Sequence, residues 1–227
     1  MQTLGTRSTT GSAAHRRLRR AVYALRTHLG RGDFHGSAAY WDRRYETGSD
    51  SGAGSYGRSA AFKAEFLNEL VTAHAIESVV ELGCGDGNQL SLARYPSYLG
   101  LDVSPTAVAA CRARFAGDET KRFELLRDLA GEVAELALSL DVVFHLVEDE
   151  VFEAHMRALF AAASRYVVVY STDTNLRTPF DRAHVRHRRV TDWTERMRDE
   201  WRLVQRQKRP GLDPLGRRAG FVVFERS

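Results

Sequence analysis

The sequence predicts an α/β protein built on an open, doubly wound sheet of seven strands, and three observations carry that prediction. Ser78 to Asn88 reads S-V-V-E-L-G-C-G-D-G-N, a short apolar run that stops at an acidic residue and empties into Gly83, Gly85 and Gly87. Tyr98 to Ser104 reads Y-L-G-L-D-V-S, a second apolar run that ends at Asp102. From Ser78 onward, runs of strand length alternate with stretches of helical period, the pattern of a parallel sheet with helices on both faces.

In chain order, residues 1 to 14 read as flexible and 15 to 30 as a helix stopped by Gly30. Leu18, Val22, Leu25 and Leu29 form one apolar stripe on that helix, beneath Arg16, Arg17, Arg19, Arg20 and Arg26. Such a helix docks on its own domain or on a second subunit, which would make a homodimer; a membrane-surface or nucleic-acid role for its basic face is the alternative. Thr47 to Gly57, T-G-S-D-S-G-A-G-S-Y-G, has linker composition, yet it stands just before a helix at 62 to 74, where a lid over a bound ligand would lie. The strands follow at 78 to 82, 98 to 102, 122 to 127, 135 to 141, 166 to 170, 201 to 207 and 220 to 225. Helices are predicted at 88 to 94, 105 to 115 with Pro105 in its first turn, 148 to 163 and 191 to 200. The chain thus divides into a basic N-terminal extension, 1 to 38, and one catalytic domain, 39 to 227, whose residues 39 to 77 form the lid region.

Charge and cysteine usage bound the function. The 227 residues carry a net charge of +4, but the first 32 hold seven arginines and no acid, so the remainder is −3. An Arg-rich, acid-free start also matches an organellar transit segment, while a generic basic N-terminus fits as well. No apolar run approaches the roughly twenty residues that cross a bilayer. Cys84 and Cys111 lack metal-ligand spacing and imply a reducing compartment, the cytoplasm by default.

The glycine pattern is G-x-G-x-G, with Asn88 where the dinucleotide fingerprint needs its third glycine. Glu81, just before the loop, holds an amino group well and would repel a phosphate, so the expected ligand carries a cation. S-adenosylmethionine fits, with an ammonium, a sulfonium and a carboxylate but no phosphate. Asp102, about twenty residues past the first glycine, stands where an acid binds ribose hydroxyls.

In E-L-G-C-G-D-G-N, L-G-L-D-V-S and the L-L-R-D of Leu125 to Asp128, the chain resembles the class I S-adenosylmethionine-dependent methyltransferases. The resemblance implies a Rossmann-like doubly wound sheet with the last strand antiparallel, its terminal hairpin joined through P-G-L-D-P-L-G. It also implies that Asp102 binds the ribose and Asp128 the adenine amino group. The cofactor-binding set is then Tyr56, Glu81, Gly83, Cys84, Gly85, Asn88, Asp102, Val103, Ser104 and Asp128. A narrower likeness, in S-L-D-V-V-F-H-L-V-E-D-E-V-F-E, S-G-A-G-S-Y-G and H-V-R-H-R, is to bacterial sugar O-methyltransferases, including those of mycobacterial polysaccharide assembly.

Asp141 at the tip of the fourth strand and His145 one turn later are the candidate bases, since methyl transfer needs an aligned acceptor relieved of its proton. Some methyltransferases of small alcohols also hold a divalent cation there. Asp141 with Asp173 and Asn175 would offer oxygen ligands to Mg²⁺, and ordinary turn chemistry is the alternative for the last two. His184, Arg186 and His187, in H-V-R-H-R-R, are the candidate contacts to a hydroxyl-rich or anionic acceptor, unless they are solvated surface. Neither the D/N-P-P-aromatic signature of amino-methylating DNA enzymes nor a Pro-Cys nucleophile is present, so a small molecule or glycan is expected and nucleic acid is not. The leading expectation is O-methylation of a sugar or other polar metabolite. A nicotinamide-nucleotide oxidoreductase, NAD(P)-dependent, and a non-catalytic binder of S-adenosylmethionine are the alternatives.

Overall fold

A computed structural model describes residues 34–179, 181–211 and 218–227; the basic helix expected at 15 to 30 lies outside the described residues. Seven strands form one sheet in the order β3-β2-β1-β4-β5-β7-β6. They are β1 (Ser78–Leu82), β2 (Ser97–Asp102), β3 (Lys121–Leu125), β4 (Ala134–Leu140), β5 (Ala163–Ser171), β6 (Trp201–Lys208) and β7 (Gly220–Arg226). β1 to β5 pair in parallel, whereas β7 inserts antiparallel between β5 and β6. The strand order reverses between β1 and β4, and ligands of open α/β sheets bind beyond the carboxyl ends of the strands at that switch.

Both faces of the sheet are covered, so its central strands carry apolar residues in succession, as at Val79–Val80, Leu136–Leu138 and Val167–Val169, rather than only on alternate positions. Val79, Leu136, Leu138 and Val168 face α2 (Gly57–Ala73) and α3 (Pro105–Arg114), packing with Phe66, Leu67, Leu70 and Val108. Their neighbours Val80, Ala137, Val167 and Val169 face α4 (Asp149–Ala161), packing with Phe152, Met156 and Leu159. The period-2 alternation of a strand thus divides β1, β4 and β5 between two cores. Ser104 caps α3 by accepting from the Ala107 amide at 3.4 Å, with Pro105 supplying the first helical φ.

Two helix expectations fail. In place of a helix at 88 to 94 there is one 3-10 turn, Leu90–Leu92, because the Asn68 side chain of α2 takes the Arg94 amide (2.8 Å) and donates to the Leu92 carbonyl (3.1 Å), and Pro96 then holds Tyr95 extended. The helix expected at 191 to 200 is shorter, α5 (Val190–Thr194) followed by a 3-10 turn at Glu195–Met197, since the chain must turn into β6 at Trp201. The remaining helix, α1 (Ser37–Glu46), lies over the carboxyl end of the sheet, in contact with α3. Among the described residues no helix is long and apolar enough to cross a membrane.

Candidate functional site

A cavity of about 550 Å³ opens at the strand-order switch, bounded by the loop after β1, the tip of β2, the segment after β4, and α1, α2 and α4. Its floor is the glycine bend. Gly83 and Gly85 have φ of +96° and +58°, where L side chains are strained, and a Cβ on either would drive into Val142 or Ser51. The bend is fastened by the Asp102 carboxylate, which accepts from the amides of Gly85 (2.9 Å) and Ser104 (3.0 Å). Burial pushes the Asp102 carboxyl up, and those amides partly offset it. Glu81 is buried at the end of β1, where it accepts from the Tyr98 hydroxyl at 2.7 Å. Desolvation raises its carboxyl to about 7 despite Tyr98 and Lys63.

The segment before α2 covers this end. Ser51 and Asp86 exchange two hydrogen bonds of 2.9 Å, Tyr56 donates to Asp86 at 2.8 Å, and the Asn88 side chain donates to the Ser55 carbonyl at 2.7 Å. Burial pushes the Asp86 carboxyl up, but the amides of Asn88 and Ser51 with the Tyr56 hydroxyl outweigh it and hold it down. The stretch 47 to 57 is therefore docked on the glycine loop, with Gly54 against the Asp141 carboxylate. Tyr56, expected to bind the cofactor, bonds Asp86 instead and does not line the cavity.

Toward α4 the wall is apolar, from Val103, Leu126, Leu129, Leu146 and Val151, as a purine ring requires. Of the expected cofactor residues, Glu81, Gly83, Cys84, Gly85, Asp102 and Val103 line the cavity. Ser104 is buried behind it, donating to Asp42 at 2.7 Å. Asp128 is not in the wall: its carboxylate is exposed, 3.7 Å from Arg127.

The opposite end is aromatic. Trp41 of α1 stands edge-on to the His145 imidazole at 4.8 Å, whereas Tyr45, one turn on, reaches the glycine bend, its hydroxyl 3.0 Å from Ser51 Oγ. His145 Nδ1 lies 3.0 Å from the His184 carbonyl, which only accepts, so Nδ1 carries the proton and Nε2 keeps its lone pair. Burial lowers the imidazole to about 4. His184 stacks on Tyr40 at 4.1 Å and borders a neighbouring cleft with Arg43 and Arg44.

The other expected acceptor contacts do not converge on the cavity. Arg186 pairs with Asp149 (3.0 Å) and donates to the Val147 carbonyl, so it straps the 181 to 189 segment to the chain after β4. Arg188 shares that Asp149 carboxylate at 2.6 Å. His187 is buried against Thr172 at 2.8 Å.

The oxygen ligands proposed for Mg²⁺ are also dispersed. Asp141 is paired with the Lys63 ammonium at 2.6 Å, Asp173 accepts from Thr191, and Asn175 bonds Asp192 and the Arg189 amide. Among the described residues no group of three or more His, Cys, Asp or Glu is placed to hold a metal ion. The Lys63 ammonium already neutralises the Asp141 carboxylate.

Sequence reasoning missed Lys63, Trp41, Tyr45 and Gln89. Lys63 had a signal: Ala60, Lys63, Ala64 and Leu67 share the buried face of α2, so a base stood on an apolar stripe. The i, i+4 pair in Y-W-D-R-R-Y was a similar clue for Trp41 and Tyr45.

The donor set fits the cofactor that the sequence implies. Among the described residues the cavity offers carboxylates to a cation at Glu81, Asp102 and Asp141, one lysine at Lys63, and a buried oxygen without a partner at Gln89 Oε1. A pyrophosphate fits poorly, because no α-helix follows the glycine loop to present its N-terminus.

Residues 79–169 match a family profile described as a methyltransferase domain. A mouse (Mus musculus) protein, EEF1A lysine methyltransferase 4, is 34% identical over 91 residues, which is 38% of this chain and 34% of the relative; its cattle (Bos taurus) counterpart is 32% identical over 91 residues, with the same coverage. The chain thus spans about a third of the length of the curated relatives it matches. The N-methyltransferase NodS from Bradyrhizobium japonicum, solved with S-adenosyl-L-homocysteine, superposes with a TM-score of 0.66 at 14% identity, over 84% of this chain and 98% of that one. Magnesium protoporphyrin IX methyltransferase from Synechocystis, also with S-adenosyl-L-homocysteine bound, gives a TM-score of 0.59 at 16% identity, over 88% and 99%. These structures establish the fold, the Rossmann-like seven-stranded sheet with its last strand antiparallel.

Proposed function

We propose, from the premise that residues 79–169 form a methyltransferase domain of the class I kind, that the protein transfers a methyl group from S-adenosylmethionine to a hydroxyl oxygen of a polar acceptor. A sugar or oligosaccharide is the acceptor that the narrower sequence likeness favours. The observation that carries the reading is the buried Asp102 carboxylate, fastened to the glycine bend through Gly85 and lining the same cavity as Glu81.

In this reading the bend of Gly83 to Gly85 and the Asp102 carboxylate hold the ribose side, and Val103, Leu126 and Leu129 enclose the adenine. Bound there, the cofactor supplies an electrophilic methyl on a sulfonium whose leaving group is a neutral thioether. Trp41 excludes water from the acceptor end, while Tyr45 covers the glycine bend, where burial together with the Asp102 charge keeps its hydroxyl protonated. His145 Nε2 accepts the acceptor's hydrogen bond. As the new C–O bond forms, that oxygen becomes cationic and its proton strongly acidic, so an imidazole that titrates near 4 still takes it. No step requires Mg²⁺. The two buried free thiols, Cys84 and Cys111, suit a reducing compartment such as the cytoplasm.

The lysine methyltransferase relatives favour a second reading, in which the acceptor is a protein amine. The pH profile separates the two. A lysine amine with an ordinary value of about 10.4 must first lose its proton, so its methylation rises steeply through alkaline pH. A hydroxyl served by His145 gives a rate that is level from about pH 6 upward once cofactor is saturating. The test is transfer of labelled methyl to panels of saccharides and of proteins. Labelled saccharide supports the proposal, and label confined to protein replaces it with the second reading.

A further inference from the structure

Helix α1 divides two concave surfaces of opposite charge. Ser37, Ala38, Trp41 and Tyr45 line the cavity, where the carboxylates of Glu81, Asp102, Asp141 and Glu150 outnumber Lys63, itself neutralised by Asp141. Ala39, Tyr40, Arg43 and Arg44 line a second cleft of about 390 Å³, bordered across from the helix by Ala183 and His184. Spacings of three and four within each set put the two sets on opposite sides of a helix about 10 Å across.

Among the described residues the outer cleft is lined by two arginines and no carboxylate. Arg43 is exposed and has no hydrogen-bond or ion-pair partner among those residues. Arg44 donates from Nε to the Asp50 carbonyl (2.7 Å) and from Nη2 to the Asp50 carboxylate (3.2 Å), so its charge is partly offset and Arg43 supplies the uncompensated one. Tyr40 and His184 add a stacked pair of rings 4.1 Å apart, and His184 stacks in turn on His145 at 5.5 Å. The cleft therefore begins two ring spacings from the imidazole that serves the acceptor. Phe34 also lines it, but the chain before Phe34 does not suit it as an occupant, because the first 32 residues carry seven arginines and no acid. A basic cleft repels a basic segment.

We propose that this cleft holds a carboxylate of an acidic oligosaccharide, Arg43 and Arg44 taking the anion while the hydroxyl to be methylated reaches His145. The inference rests on the O-methylation reading above and adds the class of sugar, one that bears a uronic acid. Charge sets the direction of binding. The carboxylates of the cavity repel the acidic unit and admit the neutral end of the acceptor, and the outer arginines retain the acidic end. A guanidinium fork matches a carboxylate in geometry as well as charge, so Arg43 is a specificity-determining contact remote from the reacting oxygen.

The test is calorimetric titration of the full chain at low ionic strength with tetragalacturonic acid, with neutral maltotetraose of the same length, and with tetra-aspartate. The wild type should bind tetragalacturonate about tenfold more tightly than maltotetraose, and added salt should erode the difference. Arg43→Glu should weaken tetragalacturonate about tenfold while leaving maltotetraose within about twofold, and Arg43→Lys should restore part of the loss. Arg43 is exposed, and a retained far-UV spectrum checks that the variant folds. Equal or undetectable affinity of the wild type for the two tetrasaccharides overturns the inference, as does an Arg43→Glu loss that maltotetraose shares. Tetra-aspartate bound as tightly as tetragalacturonate, with the same dependence on Arg43, also overturns it and makes the cleft a site for an acidic peptide. In the methyl-transfer panel, label on neutral saccharides alone strikes only this inference, whereas label confined to protein strikes the O-methylation reading and the inference with it.

Discussion

At the β1–β2 end of the cavity the geometry is held by backbone: Gly85 and Ser104 present amides to Asp102, and positive φ values set the bend. At the α1 end it is held by side chains from segments far apart in the chain. Trp41 meets His145, His145 is oriented by the His184 carbonyl, and Arg186 and Arg188 strap that carbonyl's segment down through Asp149. A backbone-built site tolerates little substitution and binds a fixed ligand. A site assembled from rings on α1 and on the 181 to 189 segment changes specificity when a few side chains change, so one fold can serve many acceptors.

The contrast is broken first at the bend. Gly85→Val places a Cβ against Ser51 at φ +58° and should weaken S-adenosylhomocysteine about 100-fold or more by calorimetry, with the far-UV spectrum retained. Affinity within tenfold of wild type would show that the bend does not define this end. At the other end, His145→Ala should lower kcat about 100-fold with the S-adenosylhomocysteine affinity unchanged. A parallel loss of affinity would merge the two ends into one.

Asp86→Ala probes the lid that joins them, since it removes the acceptor of Ser51, Tyr56 and Asn88. Amide exchange over residues 50 to 57 should rise and cofactor affinity fall about tenfold; unchanged exchange would show that the latch lies elsewhere.

The backbone-built end was legible because its information is local: three glycines after an apolar strand, and an acid about twenty residues on, specify a bend and its fastening wherever they occur. Most strands were legible for the same reason, since β1, β2, β4, β5 and β7 are largely apolar runs bounded by turn residues, whereas β3 and β6 are mostly polar. Asp128 shows the limit, since L-L-R-D matched by spacing while the turn at Leu126–Asp128 leaves its carboxylate outside the wall. Arg186 looked like an acceptor contact because its partner, Asp149, is 37 residues away. The missing helix after β1 was hidden similarly, because Asn68 on α2 redirects that segment. Contacts of long sequence separation leave no periodic trace.

Smaller effects sharpen the picture. Glu81 titrates at about 7 in the ligand-free protein, beside Tyr98, Lys63, Asp102 and Asp141. A cation in the cavity favours the ionised form, so the bound-state value is lower and binding releases a proton between the two. S-adenosylmethionine affinity should therefore rise with pH up to about 7 and level off above it, by at most tenfold per pH unit below that point, and Glu81→Gln should flatten the curve. A profile unaltered by Glu81→Gln would remove this carboxylate from the linkage. Addition of EDTA or Mg²⁺ should leave turnover unchanged, because Lys63 already neutralises Asp141; inhibition by EDTA that Mg²⁺ reverses would contradict that.

The central claim is that the cavity beyond β1 and β2 binds a sulfonium nucleoside through Asp102. Its most direct measurement is calorimetric titration of the purified protein with S-adenosylhomocysteine and, separately, with NAD(H). The account predicts one S-adenosylhomocysteine per chain, binding that Asp102→Ala abolishes, and no heat with the dinucleotide. Dinucleotide binding without S-adenosylhomocysteine binding would contradict it.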